Sequence, residues 1–255
     1  MLETRDLTIR FGGHVAVDHV SCAFQPGTLT AIVGPNGAGK TTYFNLISGQ
    51  LRASEGSVHL KGVDITREPA SSRTQRGLGR AFQLTQLFPN LSVVENVRLA
   101  VQARRREGLN LWSVWLDHRN TLERAHSLVE RVQLGARSDD TAASLPHGDQ
   151  RKLEVAILMA LEPSVYMFDE PTAGMSLDDV PVILDLIRQL KEQRDKTILL
   201  VEHKMDVVRE LADRIVVLHN GKLVADGEPE RVIAMPVVQQ AYLGTSLGVT
   251  LEEAT

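Results

Sequence analysis

One cysteine, Cys22, occurs in 255 residues. No disulfide can form within the chain, and a reducing compartment is the natural setting. Cys22 sits in the apolar stretch Val20-Ser21-Cys22-Ala23-Phe24, where packing is expected rather than reactivity. Long apolar runs are missing as well. None approaches the ~20 residues a membrane-spanning helix needs. The longest candidate, 153–168, is interrupted by Glu154, Glu162 and Pro163. The opening Met1-Leu2-Glu3-Thr4-Arg5-Asp6 mixes both charge signs and lacks the apolar centre of a secretory signal. The expectation is a soluble chain that reaches a membrane only through a partner. Basic charge is not in excess: 28 Lys and Arg against 32 Asp and Glu give a net −4, which argues against nucleic acid as the main partner. Internal repeats and low-complexity segments are absent too.

What remains is an ordinary globular balance, long enough for one large α/β domain with or without a smaller insert. Leu7, Ile9 and Phe11 alternate with polar residues and predict a half-buried strand. Short apolar runs follow at 20–24 and 29–33, and a strand pair is expected over 57–63 with a turn near Lys61-Gly62. A helix is expected from Lys40 to Ser48, stopped by Gly49. From about Val94 to Ala143 the composition turns polar and helical, with Arg104-Arg105-Arg106, Trp112 and Trp115 inside it. The arginines read as a solvated face and the tryptophans as packing residues. Strands and helices then alternate again: 165–168, a helical spacing at Ile183, Leu186, Ile187 and Leu190, a buried run at 197–201, and a hairpin turning at Asn220-Gly221. A loose tail is expected after Tyr242-Leu243-Gly244.

Gly34-Pro35-Asn36-Gly37-Ala38-Gly39-Lys40-Thr41, followed by Thr42, fits the phosphate-loop pattern G-x-x-x-x-G-K-[ST] between a strand and a helix. Glycines let backbone N–H groups curl around phosphate oxygens, and the helix N-terminus adds partial positive charge. Lys40 supplies a full charge to the β- and γ-phosphates, and the Thr41 hydroxyl suits Mg²⁺. The run Val165-Tyr166-Met167-Phe168 ends in Asp169 and Glu170. A strand end beside a phosphate loop is where a magnesium-holding aspartate is needed, and Asp169 fits. Glu170 can take a proton from a water attacking the γ-phosphate. His203 follows a buried strand at the carboxyl edge where α/β folds bind ligands, and can orient that water. Spacing alone gives Gln83 no meaning. Phe11 is either a core aromatic or an adenine platform.

These motifs, in this order, resemble the ATP-binding-cassette ATPases over nearly the whole chain. The resemblance implies a P-loop NTPase core of α/β class, with an N-terminal antiparallel β subdomain and an inserted helical subdomain. The expected divisions are 1–93 with 152–244 for the core, 94–151 for the helical part, and 245–255 for the tail. It implies that Phe11 stacks on adenine, that Gln83 touches the metal and moves with the membrane partner, that Asp169 holds magnesium, that Glu170 is catalytic, and that His203 is the switch histidine. Leu145, Pro146, His147, Gly148, Asp149 and Gln150 match the signature loop, which completes the ATP site of an opposing subunit. Two such subunits would sandwich ATP.

The segments 169–175, 201–205 and Ala241-Tyr242-Leu243-Gly244 look like the branched-chain amino acid importers, and the urea and short-amide importers are similar here. That implies two different ATPase chains, two permease subunits, a periplasmic binding protein reached indirectly, and a peripheral place on the cytoplasmic face of the membrane. Two positions depart from the pattern: Pro146 stands where serine is usual, and Ser176 where Asp or Asn is usual. Two other readings are a family ATPase free of any transporter and a regulatory nucleotide-binding module without turnover. A single cassette disfavours the first, and Glu170 disfavours the second.

Overall fold

The computed structural model describes residues 1–81, 87–105 and 114–243, without the side chains of 105, 114–118 and 241–243. Gln83, Arg106, Trp112 and the tail from 245, with the side chains of Arg105 and Trp115, lie outside the described residues.

Two long antiparallel strands open the chain, β1 (Leu2–Phe11) and β2 (His14–Phe24), joined through Gly12-Gly13. Leu7 and Ile9 are buried as their alternation predicts, but Phe11 at the strand end is 50% exposed and so is no core aromatic. After β3 (Leu29–Val33) and α1 (Lys40–Ser48), the chain returns to the first sheet as β4 (Glu55–Leu60) and β5 (Val63–Asp64). The four strands lie in the order β2-β1-β4-β5.

Next come α2 (Ala70–Gln75) and β6 (Leu78–Ala81), which the hydrophobic pattern does not reveal. The polar stretch is helical as expected, with α3 (Val93–Arg105) and α4 (Val114–Arg131). A third helix, α5 (His147–Ala160), packs on both and runs unbroken through 151–152. Then follow β7 (Val165–Asp169), α6 (Val180–Glu192), β8 (Thr197–Val201) and α7 (Met205–Leu211). The hairpin β9 (Arg214–His219) and β10 (Lys222–Gly227) turns at Asn220-Gly221, both at positive φ as this two-residue turn requires. Two short helices, α8 (Pro229–Ile233) and α9 (Pro236–Leu243), end the described chain. No described helix is long and apolar enough to cross a membrane.

The second sheet has the order β10-β9-β3-β8-β7-β6, with all pairs parallel except β10 with β9. Every residue of β3, β7 and β8 is buried, because layers cover both faces. Tyr166, Phe168, Ile198 and Leu200 pack under α3 to α7. Val165, Met167, Leu199 and Val201 point the other way, against α1 and the first sheet. The strand period of two thus divides β7 and β8 between two cores.

A buried arginine, Arg73, caps the last carbonyls of α1. Gly49 takes a left-handed φ of 81° that stops the helix, and a Cβ there would lie 2.7 Å from Arg73 Nε. Arg73, 1% exposed, donates from Nη1 to the carbonyls of Leu46 and Ile47 (both 2.7 Å) and from Nη2 to that of Thr66 (2.7 Å). Its Nε donates to the Glu68 carbonyl at 3.0 Å. Arg73→Met strands buried carbonyls, so it should cost about 3 kcal/mol. Urea denaturation checks this, through a lower midpoint at unchanged slope. A midpoint equal to wild type would show that the cap is dispensable.

Candidate functional site

The site grows from the carboxyl edge of the parallel strands. Strand β3 ends at Val33, and residues 34–39 turn the chain into α1. Two glycines are sterically required in that turn. A Cβ on Gly34 would lie 2.1 Å from the Leu218 carbonyl oxygen, and one on Gly39 2.4 Å from that of Ala16. Gly39 is also left-handed, at φ 96°. Asn36, Gly37 and Thr41 are exposed, Thr42 is half-buried and Ala38 is buried. Lys40, 8% exposed, donates from Nζ to the carbonyls of Gly34 (2.7 Å) and Pro35 (3.0 Å). Burial pulls its pKa down, against the opposing charges of Glu170 and then Asp169. Both carboxylates therefore act on the phosphate-loop ammonium.

Strand β7 delivers that pair. Asp169 is 2% exposed. Glu170 then turns sharply at φ 48°, and its N–H donates to the Val201 carbonyl at 3.0 Å. A left-handed glutamate is a strained residue held by its surroundings. Its side chain emerges half-buried beside His203, whose Nδ1 is 3.7 Å from Glu170 Oε1. The His203 ring is 54% exposed, directly after β8.

Two charged residues given no role in the sequence reading support this edge, and a third supports the 145–150 loop. Arg80, on β6, donates from Nη2 to Asp169 Oδ2 at 2.7 Å. Its Nη1 reaches Asn45 Oδ1 (2.7 Å), Ser48 Oγ (3.0 Å) and Gln50 Oε1 (3.1 Å), all on or just past α1. The guanidinium lies 5.5 Å from the Phe44 ring centre. Burial lowers the Arg80 pKa and Asp169 opposes that shift. Glu202, 1% exposed, accepts the N–H groups of His203 (2.9 Å) and Lys204 (3.0 Å) on Oε1, while the Thr172 hydroxyl reaches Oε2 at 3.4 Å. Lys152 holds the far loop, described below. A buried charge next to each motif was the available signal, but only packing reveals the burial.

The loop 145–150 stands apart. Leu145 is buried, Pro146 and His147 are exposed, and Gly148, Asp149 and Gln150 are half-buried. Gln150 Nε2 donates back to the Leu145 carbonyl at 3.0 Å. Asp149 pairs with Arg137 (3.4 Å) and Lys152 (3.2 Å). Among the described residues, none of the loop's hydrogen bonds or ion pairs reaches the phosphate loop, Asp169 or Glu170. Phe11 lies in the open, and Gln83 lies outside the described residues.

A model of the ABC transporter family matches residues 17–173. The chain belongs to the ABC transporter family. It is an ABC ATPase, 35% identical over 249 residues to the high-affinity branched-chain amino acid transport ATP-binding protein LivG of Escherichia coli K12, covering 96% of this chain and 98% of the relative. It is 36% identical over 250 residues to the corresponding protein BraF of Pseudomonas aeruginosa, at the same coverage. A solved ADP conformation of an ATP-binding cassette of an ABC transporter superposes with a TM-score of 0.79 at 29% identity, covering 96% and 98% of the two chains. These matches establish the ABC cassette fold, its two sheets included.

The donors here suit a magnesium ion held largely by nucleotide and water. Arg80 occupies one oxygen of Asp169, and Oδ1 is buried without a partner. A single free carboxylate oxygen and the exposed Thr41 hydroxyl match the sparse protein ligation that Mg²⁺ takes beside phosphates. No group of three or more His, Cys, Asp or Glu among the described residues could form an all-protein cage instead. Because Arg80 and Asp169 are both buried, Arg80→Met should cost about 3–5 kcal/mol. Asp169→Asn added to Arg80→Met should return about 1 kcal/mol or more, since no stranded charge remains. Urea denaturation of both single changes and the double gives the coupling, and strict additivity would refute it.

Proposed function

We propose that this chain is the ATP-hydrolysing subunit of an importer for branched-chain or other hydrophobic amino acids, or a related small amide. The match to LivG and BraF over almost the full length of both carries this reading. The chain would sit peripherally on the cytoplasmic face of the membrane, against permease subunits that receive substrate from a periplasmic binding protein. A second ATPase subunit, a different chain, would face it. The proposed nucleotide-binding core is 1–93 with 152–244, and the proposed helical part that meets the permease is 94–151, with α5 continuing across the join.

Each residue then has a task. The N–H groups of Gly34, Asn36, Gly37, Ala38 and Gly39, with Thr42, enclose the phosphates, and Lys40 exchanges its two carbonyl partners for phosphate oxygens. Phe11, being exposed, offers its ring face to adenine. Thr41 and Asp169, with Gln83, would hold magnesium, which when bound would neutralise phosphate charge. Water attacks the γ-phosphorus, the bond to the bridging oxygen of ADP breaks, and the water's proton passes to Glu170. His203 keeps that water oriented while Glu202 fixes the histidine backbone. Leu145 to Gln150 serve the second subunit's ATP. Pro146 gives that phosphate neither hydroxyl nor N–H, so the Gly148 N–H remains and the site served by this loop is the weaker of the two.

Lys40 acts on the ground state and Glu170 on the attacking water. Lys40→Ala should therefore lose ATP binding. Glu170→Gln should bind ATP normally while hydrolysis falls by about 10²-fold or more. Nucleotide titration and phosphate release on both proteins test this. Hydrolysis by Glu170→Gln at the wild-type rate would remove Glu170 from the mechanism.

A further inference from the structure

Two loops that the reaction at Lys40 and Glu170 does not use are joined through one buried cation. Lys152 on α5 is 6% exposed. Its Nζ pairs with Asp149 Oδ1 at 3.2 Å, within the 145–150 loop, and with Asp179 Oδ1 at the start of α6. Asp179 in turn accepts the Ser176 hydroxyl on Oδ2 at 2.7 Å, and its own N–H donates to Ser176 Oγ at 3.3 Å. At the other end, Arg137 Nε lies 3.4 Å from Asp149 Oδ2. The chain of contacts runs Arg137, Asp149, Lys152, Asp179, Ser176, and it crosses from the helical part to the turn after β7. Packing agrees with the charges. A Cβ on Gly148 would come within 3.0 Å of Asp179 Oδ2, so glycine at 148 lets the two loops approach this closely. Leu177, between Ser176 and Asp179, is 90% exposed. The turn thus presents an apolar side chain outward while its base is held by ions.

The two departures from the family pattern now read differently from each other. Ser176 closes the turn onto Asp179, and the network uses its hydroxyl. Pro146 only starts α5, at φ −56°, and the network does not involve it. The ion pairs also balance the buried charge: carboxylates hold the Lys152 ammonium protonated against desolvation, and Lys152 with Ser176 keeps Asp179 below the usual carboxylate range.

We propose that Lys152 is a positioning residue that locks the Leu145–Gln150 loop to the Ser176–Asp179 turn, so that both loops move as one piece. This rests on the importer reading only for what the loops face, a second ATPase subunit. A displacement of the turn by that subunit would then shift the loop that serves its ATP.

Amide hydrogen exchange on the whole chain tests the lock without nucleotide or partner, so its failure leaves the importer reading standing. Asp179→Asn and Ser176→Ala change only the turn. They should nonetheless speed exchange in the first turn of α5, residues 147–152, by about fivefold or more. Lys152→Met should loosen 147–152 and 176–182 together, and Lys152→Arg should keep both within about twofold of wild type. Protection in β3, β7 and β8 should stay unchanged in all four. If Lys152→Met also loses protection in those strands, Asp179→Asn decides the matter. Faster exchange confined to the segment that carries the substitution would overturn the proposal.

Discussion

Parallel strand register is the constraint on which the site depends. Val201 pairs with Asp169 on one side and with Ile32 on the other, so three strands end level with one another. The residue after each end is then fixed in space: Gly34 follows Val33, Glu170 follows Asp169, and Glu202 with His203 follow Val201. A slip of one residue in any pair would turn buried side chains to the opposite face and misplace its functional group. The hydrogen bond from the Glu170 N–H to the Val201 carbonyl continues the ladder past the last paired residue. It carries strand order into the loop where the strained glutamate sits. Hydrophobic clusters on both faces of the sheet hold the register.

Charge at this edge is arranged in opposed pairs. Lys40 and Arg80 face Asp169 and Glu170 within a largely buried space. Arg80 has a double reach, binding Asp169 on one side and three oxygens at the end of α1 on the other. The helix that begins with the phosphate-loop lysine is thereby tied at its far end to the carboxylate proposed for magnesium. On the opposite flank Glu202 does comparable work by accepting backbone N–H groups, so a histidine that is half in solvent has a fixed backbone.

Much of this was legible in the sequence where one physical signal acts alone. Leu29–Val33, Lys40–Ser48 and Thr197–Val201 form as expected, because uninterrupted apolar runs and a terminal glycine leave few alternatives. Leu78–Ala81 carries no strand pattern, since it contains Gly79 and Arg80, and its place at the sheet edge comes from pairing with β7. Arg73 and Lys152 look like surface residues in sequence, and only tertiary contacts bury them. Alternation puts Phe11 on the same face as buried Leu7 and Ile9, but it is the last residue of β1 at the hairpin end, where it lies in solvent. Glu202 stands in a motif read for its histidine, while its own role depends on the two N–H groups that follow it.

Within one chain the 145–150 loop makes no polar contact with the phosphate loop, Asp169 or Glu170 among the described residues, and a second ATPase subunit is proposed to complete each ATP site. The direct measurement is phosphate release per chain, across about a hundredfold range of concentration, for the isolated chain and for the assembled transporter. A site completed by a second subunit gives a low rate in the isolated chain that climbs with concentration or stays near background, and a higher, concentration-independent rate in the assembly. A specific activity for the isolated chain that equals the assembly's and does not fall on dilution would contradict it.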